Sequence, residues 1–143
     1  MNIKLKLTEQ ITKQLDEQEI LYEFLTEREL KELETKWKKK FIEEKKKPHS
    51  NQYNTQYKWH IFSFDTDSIK GKQATNEYKK QHPADIYIFN EELQYGLKCA
   101  KAEQLPNILM EGFSDDIYIC HHNMKWTYVI PHEAPHIGSF FSN

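Results

Sequence analysis

With 143 residues, the chain is long enough for one domain with a hydrophobic core and short for two. Its 20 Lys and Arg against 22 Asp and Glu leave a net charge of -2, which provides no broad field for a nucleic acid, and no run of about 18 apolar residues occurs to cross a membrane. Only 38% of residues are hydrophobic but 13% are aromatic, so Phe, Tyr and Trp rings must build much of the core.

Residues 1–7 alternate apolar and basic side chains, unlike the continuous apolar stretch of a signal peptide, and a cytoplasmic location is expected. Leu7, Ile11 and Leu15 suggest a short helix entered at Thr8, followed by a short strand over residues 19–24. Thr26-Glu27-Arg28-Glu29 then matches a capping box, in which Thr26 accepts the amide of Glu29 while the Glu29 carboxylate accepts the amide of Thr26. The helix so started carries Leu30, Leu33, Trp37 and Phe41 on one face, and Pro48 forbids its continuation, giving a long helix over residues 27–47. The lysines at 38–40 and 45–47 share their surface with Glu29, Glu32, Glu34, Glu43 and Glu44, the composition of a solvated face rather than an anion-binding stripe.

Residues 49–56 are polar and turn-rich, an exposed loop. Strands are expected over 57–64, 85–90 and, more weakly, 94–99, with a polar surface helix over 69–81 whose inner side holds Ala74 and Tyr78. A short helix over 106–110 leaves at Gly112. The segments 116–120 and 126–130 read as a hairpin. Setting Cys120 opposite Trp126 puts Tyr118 opposite Tyr128, separating an aliphatic face from an aromatic one. His121 and His122 then fall in a solvent-facing turn. The sum is an α+β fold in one domain, residues 1–143: a charged helical front over 1–48 and a sheet-containing core over 49–143. The sheet is mostly antiparallel with four or five strands, and the long N-terminal helix packs on one face. Cys99 and Cys120, distant and in no C-x-x-C pair, read as buried reduced thiols.

Trp59-His60-Ile61-Phe62-Ser63, followed by Gly71, Ala74 and Tyr78, then Tyr87-Ile88-Phe89, and finally Trp126-Thr127-Tyr128-Val129 with His132-Glu133, resembles a small uncharacterised bacterial family. That family, a domain of unknown function found chiefly in Gram-positive bacteria, is marked by W-H-x-F-S and W-T-Y-V-x-x-H-E. The resemblance covers residues 25–141. It implies a soluble cytosolic domain and carries no activity to transfer. Family members tend to end in Gly-Pro-Tyr-Phe, and Gly138-Ser139-Phe140-Phe141 departs from this at the proline.

His132-Glu133-Ala134-Pro135-His136 spells the zinc-protease motif, but Pro135 would interrupt the helix that has to place both imidazoles on one metal. In the hairpin register, His121 and His122 lie about 20 Å from His132 and Glu133, at about 3.3 Å per residue, so the four cannot share an ion. The candidate catalytic set is His60, His132 and Glu133: Glu133 could orient one imidazole while the other acts as general base or metal ligand, with Asp65 and Asp67 as further oxygen donors. Ser63 and Cys99 lack the context of a nucleophile. The candidate binding set is Trp59, Tyr118, Trp126 and Tyr128, whose rings could supply contact area. Two functions follow. One is a non-enzymatic interaction module with an unknown protein partner, of the immunity-like kind that neutralises a toxin or tunes a partner. The other is a small hydrolase or metal-binding enzyme using His60, His132 and Glu133. No cofactor, resident metal, membrane or nucleic-acid partner is expected.

Overall fold

The computed structural model describes residues 3–44, 68–81, 84–102, 116–131 and 138–143. In chain order its elements are α1 (Ile3–Glu17), β1 (Tyr22–Phe24), α2 (Glu27–Lys38), β2 (Ile69–Lys70), α3 (Lys72–Lys79), β3 (Ala84–Asn90), β4 (Gly96–Ala102), β5 (Ile117–His121), β6 (Thr127–Ile130) and β7 (Phe140–Ser142). The strands form one 7-stranded sheet in the order β1-β4-β3-β5-β6-β7-β2, and every pairing is antiparallel. The architecture is α+β, but the expected four or five strands and the long helix over 27–47 are corrected: the sheet has seven strands, and the capped helix runs over Glu27–Lys38 before its π turn. The sheet gains β7 from the tail and the two-residue β2 from what read as the start of a helix. The front of the chain supplies two helices, α1 and α2, on opposite faces of the sheet. The strand expected over 57–64 and the helix expected over 106–110 lie outside the described residues.

α2 starts as its capping box requires: the Glu29 amide donates to Thr26 Oγ1 at 3.1 Å and the Thr26 amide donates to Glu29 Oε1 at 2.9 Å. Its apolar stripe, Leu30, Leu33, Trp37 and Phe41, is buried. The helix widens into a π turn over Lys39–Glu43, where the Glu44 amide donates to the carbonyl of Lys39. This extra residue per turn keeps both Phe41 and Ile42 inside.

Alternation along the strands divides the core in two. On one face α1 (Ile11, Leu15) and α3 (Ala74, Tyr78) cover Ile86, Ile88, Leu97, Cys99, Ile117, Ile119 and Tyr128. On the other α2 covers Phe89, Tyr118, Cys120, Val129 and Phe140. Gly96 of β4 makes the close approach of α2 possible: a Cβ there would stand 2.6 Å from Leu30 Cδ1. Trp37 clamps the helix across the sheet, its Nε1–H donating to Thr127 Oγ1 at 2.9 Å and its ring meeting Tyr118 edge-on at 5.0 Å.

The hairpin of β5 and β6 forms, with its register one residue from the expected one. Cys120 faces Thr127 and Tyr118 faces Val129, while the His121 amide donates to the carbonyl of Trp126 at 3.0 Å. Met124 takes a left-handed conformation (φ 58°), which lets its amide reach the carbonyl of His121 and closes the turn. Neither face is purely aromatic: Ile119 shares its side with Tyr128, and Val129 shares its side with Tyr118.

Candidate functional site

The described part of the chain contains an open pocket of about 140 Å³ beside α2. Its floor is a row across the sheet set by strand pairing, Glu23 of β1 opposite Lys98 of β4 opposite Tyr87 of β3. These three point to the α2 side because their neighbours in the strands, Leu97, Cys99 and Ile86, fill the other core. One wall is the stripe of α2 next to its buried face, Glu29, Glu32, Leu33 and Lys36, spaced i, i+3, i+4 and i+7. Leu25 lies at the base, and His122, from the turn between β5 and β6, closes one end. The Glu29 carboxyl lies below the usual carboxylate range because it accepts hydrogen bonds at Thr26, with Lys98 nearby adding to the effect.

The turn carries more than its sequence suggests. His121, expected to face solvent, is buried: its ring is enclosed by Trp126 and His122, and its Nδ1 accepts from the Asn123 amide at 3.0 Å. Burial pushes the His121 pKa down, with the nearby His122 and Lys125 charges acting in the same direction. His122 is half-buried, its amide donates to the carbonyl of Asp85, and its Nδ1 is enclosed without a hydrogen-bond partner.

Of the ring-bearing candidates, Tyr118, Trp126 and Tyr128 are 0%, 5% and 2% exposed, so as folded they present core rather than contact surface. Tyr118 donates to Glu91 Oε1. Tyr128 stacks on Tyr78 at 4.4 Å, and its hydroxyl shares hydrogen bonds with Thr75 Oγ1 (2.7 Å) and Ser139 Oγ (2.9 Å). Trp126 packs against Tyr78 and Phe141. Trp59, His60, His132 and Glu133 lie outside the described residues, as do Asp65 and Asp67. Among the described residues, no group of three or more His, Cys, Asp or Glu is placed to hold a metal ion, and no helix is long and apolar enough to cross a membrane. Burial pushes the Cys99 thiol up to about 12 and raises that of Cys120 as well, which suits neither to nucleophilic attack.

The profile of a family described as a domain of unknown function, DUF4275, matches residues 1–141. The chain belongs to that family. The DUF4275 match runs from α1 into β7, so every side chain of the α2 pocket lies inside it. No curated protein and no solved structure matches the chain.

The pocket was not legible in the sequence. Glu29 and Glu32 read as capping and solvated-face residues, and Glu23, Tyr87 and Lys98 meet only through the β1-β4-β3 pairing. The one local signal was the 29-32-33-36 stripe running beside the buried 30-33-37 stripe.

Proposed function

We propose that this chain is a non-enzymatic protein-interaction module whose contact site is the groove between α2 and the β1-β4-β3 edge of the sheet. The observation that carries the reading is the groove's size and lining. At about 140 Å³ it is far below the roughly 300–1,000 Å³ of sites that enclose substrates and cofactors, and it suits one side chain of a partner. Three carboxylates (Glu23, Glu29 and Glu32), two ammonium groups (Lys36 and Lys98) and the His122 imidazole line it. Charged groups arranged around a small recess give register and specificity in protein association.

Site-specific photo-cross-linking in cells tests this. A benzophenone side chain replacing Glu32 is expected to give a discrete covalent protein adduct that disappears with Lys98→Glu. The same group replacing Glu9, exposed on α1 across the sheet, is expected to give none. Identical adducts from both positions, or no adduct at the Glu32 position, would remove the groove as the contact site.

A further inference from the structure

Which side chain the groove takes is decided by which of its polar groups already have partners. Glu29 Oε1 accepts from the Thr26 amide at 2.9 Å, and Glu32 Oε1 lies 3.3 Å from Arg28 Nε. Lys36 and Lys98 are different. Among the described residues, neither has a carboxylate oxygen within 4.0 Å, although Lys98 faces Glu23 in the strand register. The Tyr87 hydroxyl forms no hydrogen bond among them either, and the enclosed Nδ1 of His122 is unpartnered. The uncommitted donors of the groove are therefore the Lys36 and Lys98 ammonium groups and the Tyr87 hydroxyl, in a lining that holds three carboxylates and two ammonium groups.

We infer that the groove accepts one carboxylate of a partner protein, an Asp or Glu side chain. The two ammonium groups of Lys36 and Lys98 flank it, the Tyr87 hydroxyl donates a hydrogen bond to it, and the His122 ring closes the end of the recess. This rests on the groove being an interaction site. A cationic side chain is opposed by the two unpaired ammonium groups of Lys36 and Lys98, and the Glu32 carboxylate is already paired with Arg28. A phosphate is disfavoured by its second negative charge beside Glu23 and Glu29, whereas a single-charged carboxylate meets the two lysines with less repulsion.

The test is an NMR titration of the full-length chain, following backbone amides, with three capped amino acids as probes: N-acetylglutamate amide, N-acetylglutamine amide and N-acetyllysine amide. The glutamate probe is expected to shift the amides of Tyr87, Lys98 and His122 saturably, more weakly as salt is added, and the glutamine probe is expected to leave them in place. Lys98 and Lys36 are exposed, so Lys98→Met and Lys36→Met retain the fold and should each weaken glutamate binding by roughly threefold to fivefold. Glutamine binding as well as glutamate, or lysine binding better at the same amides, would overturn the carboxylate assignment while leaving the groove a binding site. No saturable shift with any probe would also overturn it. Whether the groove is an interaction site at all is read independently from cross-linking at position 32.

Discussion

Replacing Trp37 by Phe removes the indole N–H that reaches Thr127 Oγ1 across the buried face of the sheet. Thr127 keeps its own donation to the carbonyl of Ile119 at 2.9 Å but loses the group it accepted from. An unpaired buried polar group costs about 1–3 kcal/mol. The smaller ring also leaves a void beside Tyr118 and Phe89, at about 24 cal/mol per Å³. Together these put Trp37→Phe at about 2–4 kcal/mol. Thr127→Val strands the indole N–H and should cost about 1–3 kcal/mol. In the double variant neither orphan remains, so the summed loss should fall short of additivity by about 1 kcal/mol or more. Urea unfolding of all four proteins, followed by far-UV circular dichroism, measures this cycle. Additive losses would show that the indole and the hydroxyl are not bonded, and that α2 is held over the sheet by apolar contact alone.

Gly138 (φ 84°) stands against Gly71 (φ 67°), where a Cβ on Gly138 would lie 2.9 Å from the Gly71 Cα, whereas a Cβ on Gly71 meets nothing within 4 Å. Gly71→Ala should therefore cost only backbone strain, about 1–3 kcal/mol, and Gly138→Ala should cost more in chemical denaturation. Equal losses would contradict the close approach. Burial holds the folded His121 pKa below its ordinary 6.5, so the unfolded chain binds that proton first. The stability linked to His121 is complete above about pH 6.5 and is lost as the pH falls from there through the folded value. Thermal melts should therefore show the wild type losing more stability than His121→Asn over that fall, and parallel profiles would refute the assignment. Neither Cys99 nor Cys120 should react with a thiol reagent at mildly alkaline pH until denaturant is added. Prompt native labelling would show that one of them reaches the surface.

What the sequence made legible was local. Thr26, Glu29 and the 30-33-37-41 stripe announce α2 because cap and periodicity act within a few residues of chain. β2 and β7 escaped because Ile69–Lys70 and Phe140–Ser142 are too short to carry an alternating pattern, and pairing with each other and with β6 makes them strands. The hairpin register slipped by one residue because it depends on Met124 adopting a positive φ, a conformation that its side chain does not signal. That single step moved His121 from solvent into the core and recombined the two faces. The groove is the extreme case. Glu23, Tyr87, Lys98 and His122 come from four separate stretches, and only the strand order places them under the charged flank of α2.

The most direct test of the groove assignment is a spectrum of the lysine side-chain ammonium groups, with the signals of Lys36 and Lys98 identified by their loss in Lys36→Met and Lys98→Met. On adding N-acetylglutamate amide, those two signals are expected to move together and saturate at one affinity while other lysines, such as Lys13 on α1 and Lys72 on α3, stay in place. Uniform small movement of every lysine, or stationary signals at both positions, would contradict the account.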